Sequence, residues 1–159
     1  MTEEQPTFLT AAALEKLEAE LTELKTRGRR DMEERISEAR SHGDLRENAD
    51  YDAAKQAQGL MEARIRKLEY LVRTAEVREV ADTGVVEIGC VVTVVDDDDD
   101  EMTYFVAPQE NKVPGMLLAS PSSPVGAALL GAAVGDEVSY EAPAGTFTLR
   151  IRSVRPFAG

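Results

Sequence analysis

An α+β chain, with an N-terminal antiparallel α-helical coiled-coil hairpin followed by a small α+β domain, is what this sequence predicts, on three observations. From Thr10 to about Val77 there is no proline, and glycine occurs only at 28, 43 and 59, in a segment rich in Ala, Leu, Glu, Lys and Arg. Those are good helix formers. Apolar residues in the segment recur at spacings of three and four, the period of one helix face. After Asp82-Thr83-Gly84 the chain changes to β-branched and apolar runs punctuated by Gly and Pro, which is the composition of strands and turns. The change divides the sequence into a hairpin over 1–80 and a second domain over 84–159.

In the first arm Leu14, Leu17, Leu21 and Leu24 follow helical spacing, and Met32, Ile36 and Ala39 continue the stripe after a slip near Gly28. Ala54, Ala57, Met61, Ile65, Leu68, Val72 and Ala75 form a second stripe. Two narrow seams of this length need a partner, and three-four spacing lets side chains of one helix lodge between those of the other. The turn falls at Ser41-His42-Gly43-Asp44, where Gly43 suits the left-handed residue that ends a helix. With arms of about 30 residues rising 1.5 Å each, the rod reaches about 45 Å. A rod that long spans or probes something, so its far end is the place to look for function.

In the second half, Val85 to Val95, Met102 to Ala107 and Met116 to Ala119 read as strands. Ser123-Pro124 followed by VGAALLG reads as a short helix with Ser123 as N-cap, Pro124 at the first helical position and Gly131 beyond the end. Glu137 to Ala142 and Thr146 to Val154 make a closing hairpin around Pro143-Ala144-Gly145. The acidic run Asp96 to Glu101 sits between two strands and is a charged hairpin loop, since it lacks the spaced pattern of an EF-hand.

Composition narrows function. The net charge of −12 argues against free-standing recognition of nucleic acid, which is driven by clustered Lys and Arg. Positive charge is concentrated in the first half: residues 1–82 hold 14 Lys and Arg, residues 83–159 only 4. No stretch approaches the roughly 20 apolar residues of a membrane span. The N-terminus MTEEQPTFLT carries acids where a signal peptide carries bases, so a cytoplasmic protein without membrane contact is expected. The single cysteine, Cys90, lies in an apolar run and reads as a buried thiol.

At the rod's end, Asp44 and Glu47 stand three residues apart and share one helix face. The same spacing is a capping box, and acids there also suit the helix dipole. The two readings coexist, because a capping carboxylate is held in a fixed direction.

The segment EARSHGDLRENADYDAAKQAQGLMEARIRKLE, with its core of Gly43, Asp44, Leu45, Glu47, Asn48 and Tyr51, closely resembles the tip and second helix of the GreA/GreB transcript cleavage factors. The stretch SPSSPVGAALLGAAVGDEVSYEAPAGTFTLRIRSV resembles that family's FKBP-like second domain. The resemblance implies a factor without a complete active site of its own. Its coiled coil enters the secondary channel of bacterial RNA polymerase while the second domain anchors on the channel rim. Asp44 and Glu47 help to hold a Mg²⁺ ion shared with the polymerase, so that the polymerase hydrolyses a backtracked nascent RNA 3′ end. Arg40 and Lys55 match the family's basic patch near the tip, Tyr51 is implied to contact RNA, and Ser123 and Pro124 match the rim-binding region. Asp52 departs from the family, standing where many members carry His, and with Asp50 it makes the tip more acidic. A homologue that occupies the channel and inhibits without stimulating cleavage is the alternative.

Overall fold

The computed structural model describes residues 6–41 and 45–158, with the backbone alone for 45–48. In chain order it holds β1 (Thr7–Phe8), α1 (Ala11–Glu23), a π-helical turn (Leu24–Gly28), α2 (Arg29–Ser41), α3 (Leu45–Arg73) and β2 (Ala75–Glu76). Then follow β3 (Cys90–Val95), β4 (Glu101–Val106), a 3-10 turn (Gln109–Asn111), β5 (Leu117–Ala119), α4 (Pro124–Leu129), β6 (Glu137–Ala142) and β7 (Gly145–Pro156). The expected helical hairpin region and the sheet-rich domain after it are both present.

By packing, the chain divides into two units, Leu14–Thr74 and the combination of Met1–Ala13 with Ala75–Gly159. This border differs from one drawn at 80–84, because Thr7 and Phe8 pair with Ala75 and Glu76 and Phe8 packs with Val91 and Phe105. In the helical unit, Leu17, Ile36, Ala39, Ala54, Ile65, Leu68 and Leu71 are buried. Leu24 to Met32 spans eight residues, one more than two α-turns, and the π turn between them absorbs the extra residue. Its signature is the Arg29 N–H donating to Leu24 O, five residues back. Glu20 with Arg64 (2.9 and 3.0 Å) and Arg29 with Glu62 (both 3.1 Å) form forked ion pairs from the first arm to α3. Lys25 adds a single contact to Glu69 at 3.3 Å.

The second unit is built on a five-stranded sheet in the order β5-β4-β3-β7-β6, antiparallel except for the parallel β4–β5 pair. Alternation along β3 sends Val92 and Val94 to one face, where they pack with Val106, Leu129, Leu149 and Ile151. Val91 goes to the other, with Phe105, Ala107 and Phe8. The register of β3 on β7 shifts between Thr93 and Val94, which leaves Arg152 as the extra residue of a bulge. The Arg152 guanidinium meets the Glu101 carboxylate at 2.6 Å.

Two expected elements are corrected. The second helix does not run through Ala75 to Val77. It ends at Arg73, where the Thr74 hydroxyl donates back to Tyr70 O at 2.8 Å, and Ala75 and Glu76 pair in parallel with Thr7 and Phe8. The first strand of the sheet begins at Cys90, not Val85, and Val85 forms only an isolated bridge with Ala133. Gly89 (φ 102°) breaks the extended run in a turn just before Cys90. At Gly89 a Cβ would stand 2.4 Å from Val80 Cγ2 and 2.9 Å from Phe8 Cζ, so the chain passes those residues too closely for any side chain.

Phe8 reaches its core through a clasp that only the folded chain shows. The buried Asn111 side chain accepts from Thr10 N (2.8 Å) and donates to Phe8 O (2.9 Å) and Pro108 O (3.2 Å). Leu9 N donates to Glu76 O at 3.1 Å. Thr10 in turn caps α1, its hydroxyl accepting from Ala13 N at 3.0 Å.

Candidate functional site at the hairpin turn

The far end of the helical unit is built from the last turn of α2 and the first turns of α3. Ile36 and Ala39 on α2 and Ala54 on α3 are buried, which fixes the buried side of both helices at this end. Arg40, one residue after Ala39, is exposed, while Tyr51, three before Ala54, is half-buried. The two meet: Arg40 Nη2 donates to Tyr51 Oη at 3.4 Å, and the guanidinium carbon lies 5.5 Å from the ring centroid. That distance lies within the range of a cation–π contact. Lys55 follows one turn after Tyr51 and donates to Gln58 Oε1 at 2.9 Å.

Electrostatics at this end follow from those neighbours. The Arg40 hydrogen bond, then the Arg40 charge, holds the Tyr51 phenol below its usual range; Lys55 adds to the effect and Asp52 opposes it. Asp50 and Asp52, which flank Tyr51 in sequence, are both exposed. Of the residues singled out in the sequence, Arg40 and Tyr51 are therefore in contact, and Lys55 stands one turn further along α3 with Gln58 as its partner. Asp44 lies outside the described residues, as do His42 and Gly43 and with them the expected turn. Glu47 stands in the first turn of α3, and its side chain lies outside the described residues too. The expected pairing of the Asp44 and Glu47 carboxylates rests on their spacing in the sequence.

Ser123 and Pro124 belong to the sheet unit and take the places read from the sequence. The Ser123 hydroxyl accepts from Gly126 N at 3.1 Å and donates to Ser120 O at 2.7 Å, and Pro124 opens α4. Both hydrogen bonds of that hydroxyl are internal, so its local role is capping; Pro124 is exposed. The acidic run is the hairpin loop expected, but ordered by its own backbone: Asp96 Oδ1 accepts from Asp98 N and Asp100 N, each at 2.9 Å. Asp99 takes φ 61° in that turn.

Sequence reasoning missed the forked pairs along the hairpin and the Asn111 clasp. Charged residues at helical spacing signal that cross-helix pairs exist without naming the partners. A lone Asn after Pro108-Gln109-Glu110 carries no signal at all.

Known families match the sequence on both sides of residue 80. The family described as "Transcription elongation factor, N-terminal" matches residues 7–77, and "Transcription elongation factor, GreA/GreB, C-term" matches residues 81–156. Transcription elongation factor GreA of Saccharopolyspora erythraea is 44% identical over 163 residues, covering 100% of both chains. That of Thermoanaerobacter pseudethanolicus is 42% identical over 154 residues, covering 95% of this chain and 98% of the relative. Among solved structures, GreA factor homolog 1 of Thermus thermophilus is 28% identical, with a TM-score of 0.44 over 95% of this chain and 99% of the other. So loose a superposition carries no argument, whereas the sequence matches run nearly end to end at more than 40% identity. The chain belongs to the GreA/GreB family of transcription elongation factors.

Proposed function

We propose that this protein acts as a transcript cleavage factor on bacterial RNA polymerase, and that it is a cofactor of the polymerase's own RNA hydrolysis and not an enzyme by itself. The observation that carries the reading is family membership across both halves of the chain, at 7–77 and 81–156. The geometry of the helical unit supports it. An α3 of 29 residues is about 43 Å long at 1.5 Å per residue, enough to carry its first turn deep into a channel.

In this reading the hairpin occupies the secondary channel of the polymerase, and the sheet unit, with Ser123 and Pro124, rests on the channel rim. Asp44 and Glu47 supply carboxylate oxygens for a Mg²⁺ ion shared with the polymerase site. Carboxylates suit that hard ion, yet two of them leave most of a near-octahedral shell unfilled, which is why the factor needs a partner to complete the site. When bound, the ion lowers the cost of generating a nucleophile from water and of charge on the leaving oxygen. Asp44 and Glu47 orient the attacking water toward the phosphodiester of the backtracked 3′ end. Arg40 and Lys55 place positive charge near the tip, in a protein whose net charge of −12 disfavours nucleic acid elsewhere. The Tyr51 ring offers a stacking surface for a displaced base.

The test is a stalled, backtracked polymerase given Mg²⁺ and either the wild type, Asp44→Asn or Glu47→Gln. Wild type shortens the transcript, and each variant lowers the cleavage rate by at least about tenfold, the equivalent of about 1.4 kcal/mol of barrier. Equal cleavage by all three removes the tip chemistry. The exposed Asp50 and Asp52 favour one second reading, a channel occupant that inhibits. It predicts binding and slowed elongation with no shortened transcript in the same experiment.

A further inference from the structure

Among the described residues, three ion pairs join the first arm of the hairpin to α3, at Glu20, Lys25 and Arg29, in the part remote from the turn. Toward the turn the buried seam thins to Ile36, Ala39 and Ala54, two of which are alanines with little surface to bury. Among the described residues, Arg40 with Tyr51 is the hydrogen-bonded side-chain pair that joins α2 to α3 on the turn side of Arg29. Arg40 is the penultimate residue of α2, and Tyr51 is in the second turn of α3. Glu47 stands one turn before Tyr51 on the same helix.

We propose that Arg40 is a positioning residue: through Tyr51 it ties the last turn of α2 to the start of α3, and so fixes the helix turn on which Glu47 stands. The inference rests on the cleavage reading for its activity readout, and the pairing itself is open to measurement in the free protein. Arg40 suits the task better than a lysine would, because a planar guanidinium can donate to the phenol oxygen while lying near the ring, whereas an ammonium is a compact, strongly hydrated charge. The inference changes what Arg40 is for. A residue that meets RNA phosphate directly contributes charge and affinity; a residue that braces the tip contributes alignment, and alignment shows in the rate of the bound complex.

The experiment has two arms. In the first, the phenolate absorbance of the free full-length protein is titrated for wild type, Arg40→Met and Tyr51→Phe. The low-pH component of that absorbance, expected from Tyr51 beside Arg40, should vanish in Tyr51→Phe and rise toward the ordinary phenol range in Arg40→Met. A Tyr51 titration unchanged by Arg40→Met overturns the proposal. In the second arm, cleavage of a backtracked complex is measured against factor concentration for wild type, Arg40→Lys and Arg40→Met. A brace predicts that both variants lose about tenfold in maximal rate, with the half-saturating concentration within about twofold of wild type. Arg40→Lys at the wild-type rate, or a raised half-saturating concentration at unchanged maximal rate, overturns the proposal in favour of a direct charge contact. If the wild type itself does not stimulate cleavage, the functional reading fails, and the phenol titration still decides whether the pair exists.

Discussion

Single residues divide sharply into those whose role depends on their neighbours in sequence and those whose role depends on a distant atom. Ser123 and Pro124 were legible because a helix cap is decided within four residues, and both occupy the expected positions. Cys90 was legible in the same way: an apolar run predicts burial, and the side chain is 1% exposed. Burial pushes the thiol pKa up, which leaves little thiolate near neutral pH. Alkylation by a thiol reagent is therefore expected to be negligible in the native protein and complete once denaturant unfolds it; rapid native labelling would contradict the packing around Cys90. Gly126 was not legible, since nothing in VGAALLG shows that a Cβ there would fall 1.9 Å from the Ser120 carbonyl oxygen. Gly126→Ala should destabilise the sheet unit by about 1–3 kcal/mol through overpacking, despite the better helix propensity of alanine. Urea unfolding measures it, and an unchanged midpoint would show that the loop at Ser120 yields freely.

For whole elements, periodicity carried most of the information and its interruptions carried the rest. The apolar stripe of the first arm slips by one residue near Gly28, and the sequence alone leaves open whether the helix kinks, breaks or overwinds there. The answer is the π turn at Leu24–Gly28, which adds one residue without interrupting the rod. Deleting Thr26 would shorten the Leu24–Met32 interval to seven residues, two α-turns, and let the helix run straight. Circular dichroism should then show helicity held or raised, and the melting temperature should not fall; a large drop would mean that the π turn fits the partner helix better than an α-turn does. The forked Glu20–Arg64 pair was illegible, because many charges share that helix face. The Arg64 hydrogen bond is the main cause of a Glu20 pKa below the ordinary 4.5, with partial burial opposing it. A depressed folded value means that the pair's stabilisation is full above 4.5 and is lost as pH falls through the folded pKa. Both side chains are about 40% exposed, so screening by water keeps the contribution to roughly 0.2–1 kcal/mol. The stability difference between wild type and Glu20→Gln should accordingly shrink as pH drops below 4.5 and as salt rises.

At the scale of the whole chain, the two-part organisation was readable from the change of composition near residue 80, but the order in which the ends are tied together was not. A two-residue strand and one Asn bonding to residues 101 and 103 positions away leave no periodic trace. Physically, the reason for the clasp is the second face of the sheet. Val91, Phe105 and Ala107 would face water there, and Phe8, Val80, Ile88 and Phe157 cover them. Phe157 stacks on Phe105 with centroids 4.3 Å apart. Phe8 and Val80 come from the part of the chain that the sequence assigns to the hairpin, so residues 84–159 alone would lack part of their own core. Two measurements follow from that shortage. In the full chain, Asn111→Ala leaves Thr10 N and Phe8 O without their side-chain partner in a buried place, and should cost about 1–3 kcal/mol for each group left unsatisfied. Hydrogen exchange at the Thr10 amide should speed up with it. A fragment of 84–159 should melt below the sheet unit of the full chain and bind a hydrophobic dye, because the cover over Phe105 and Val91 is incomplete. If the fragment melts at the temperature of the full chain's sheet unit and binds no dye, then Phe8 and Val80 add nothing to that core, and the border between the units belongs near residue 80 after all.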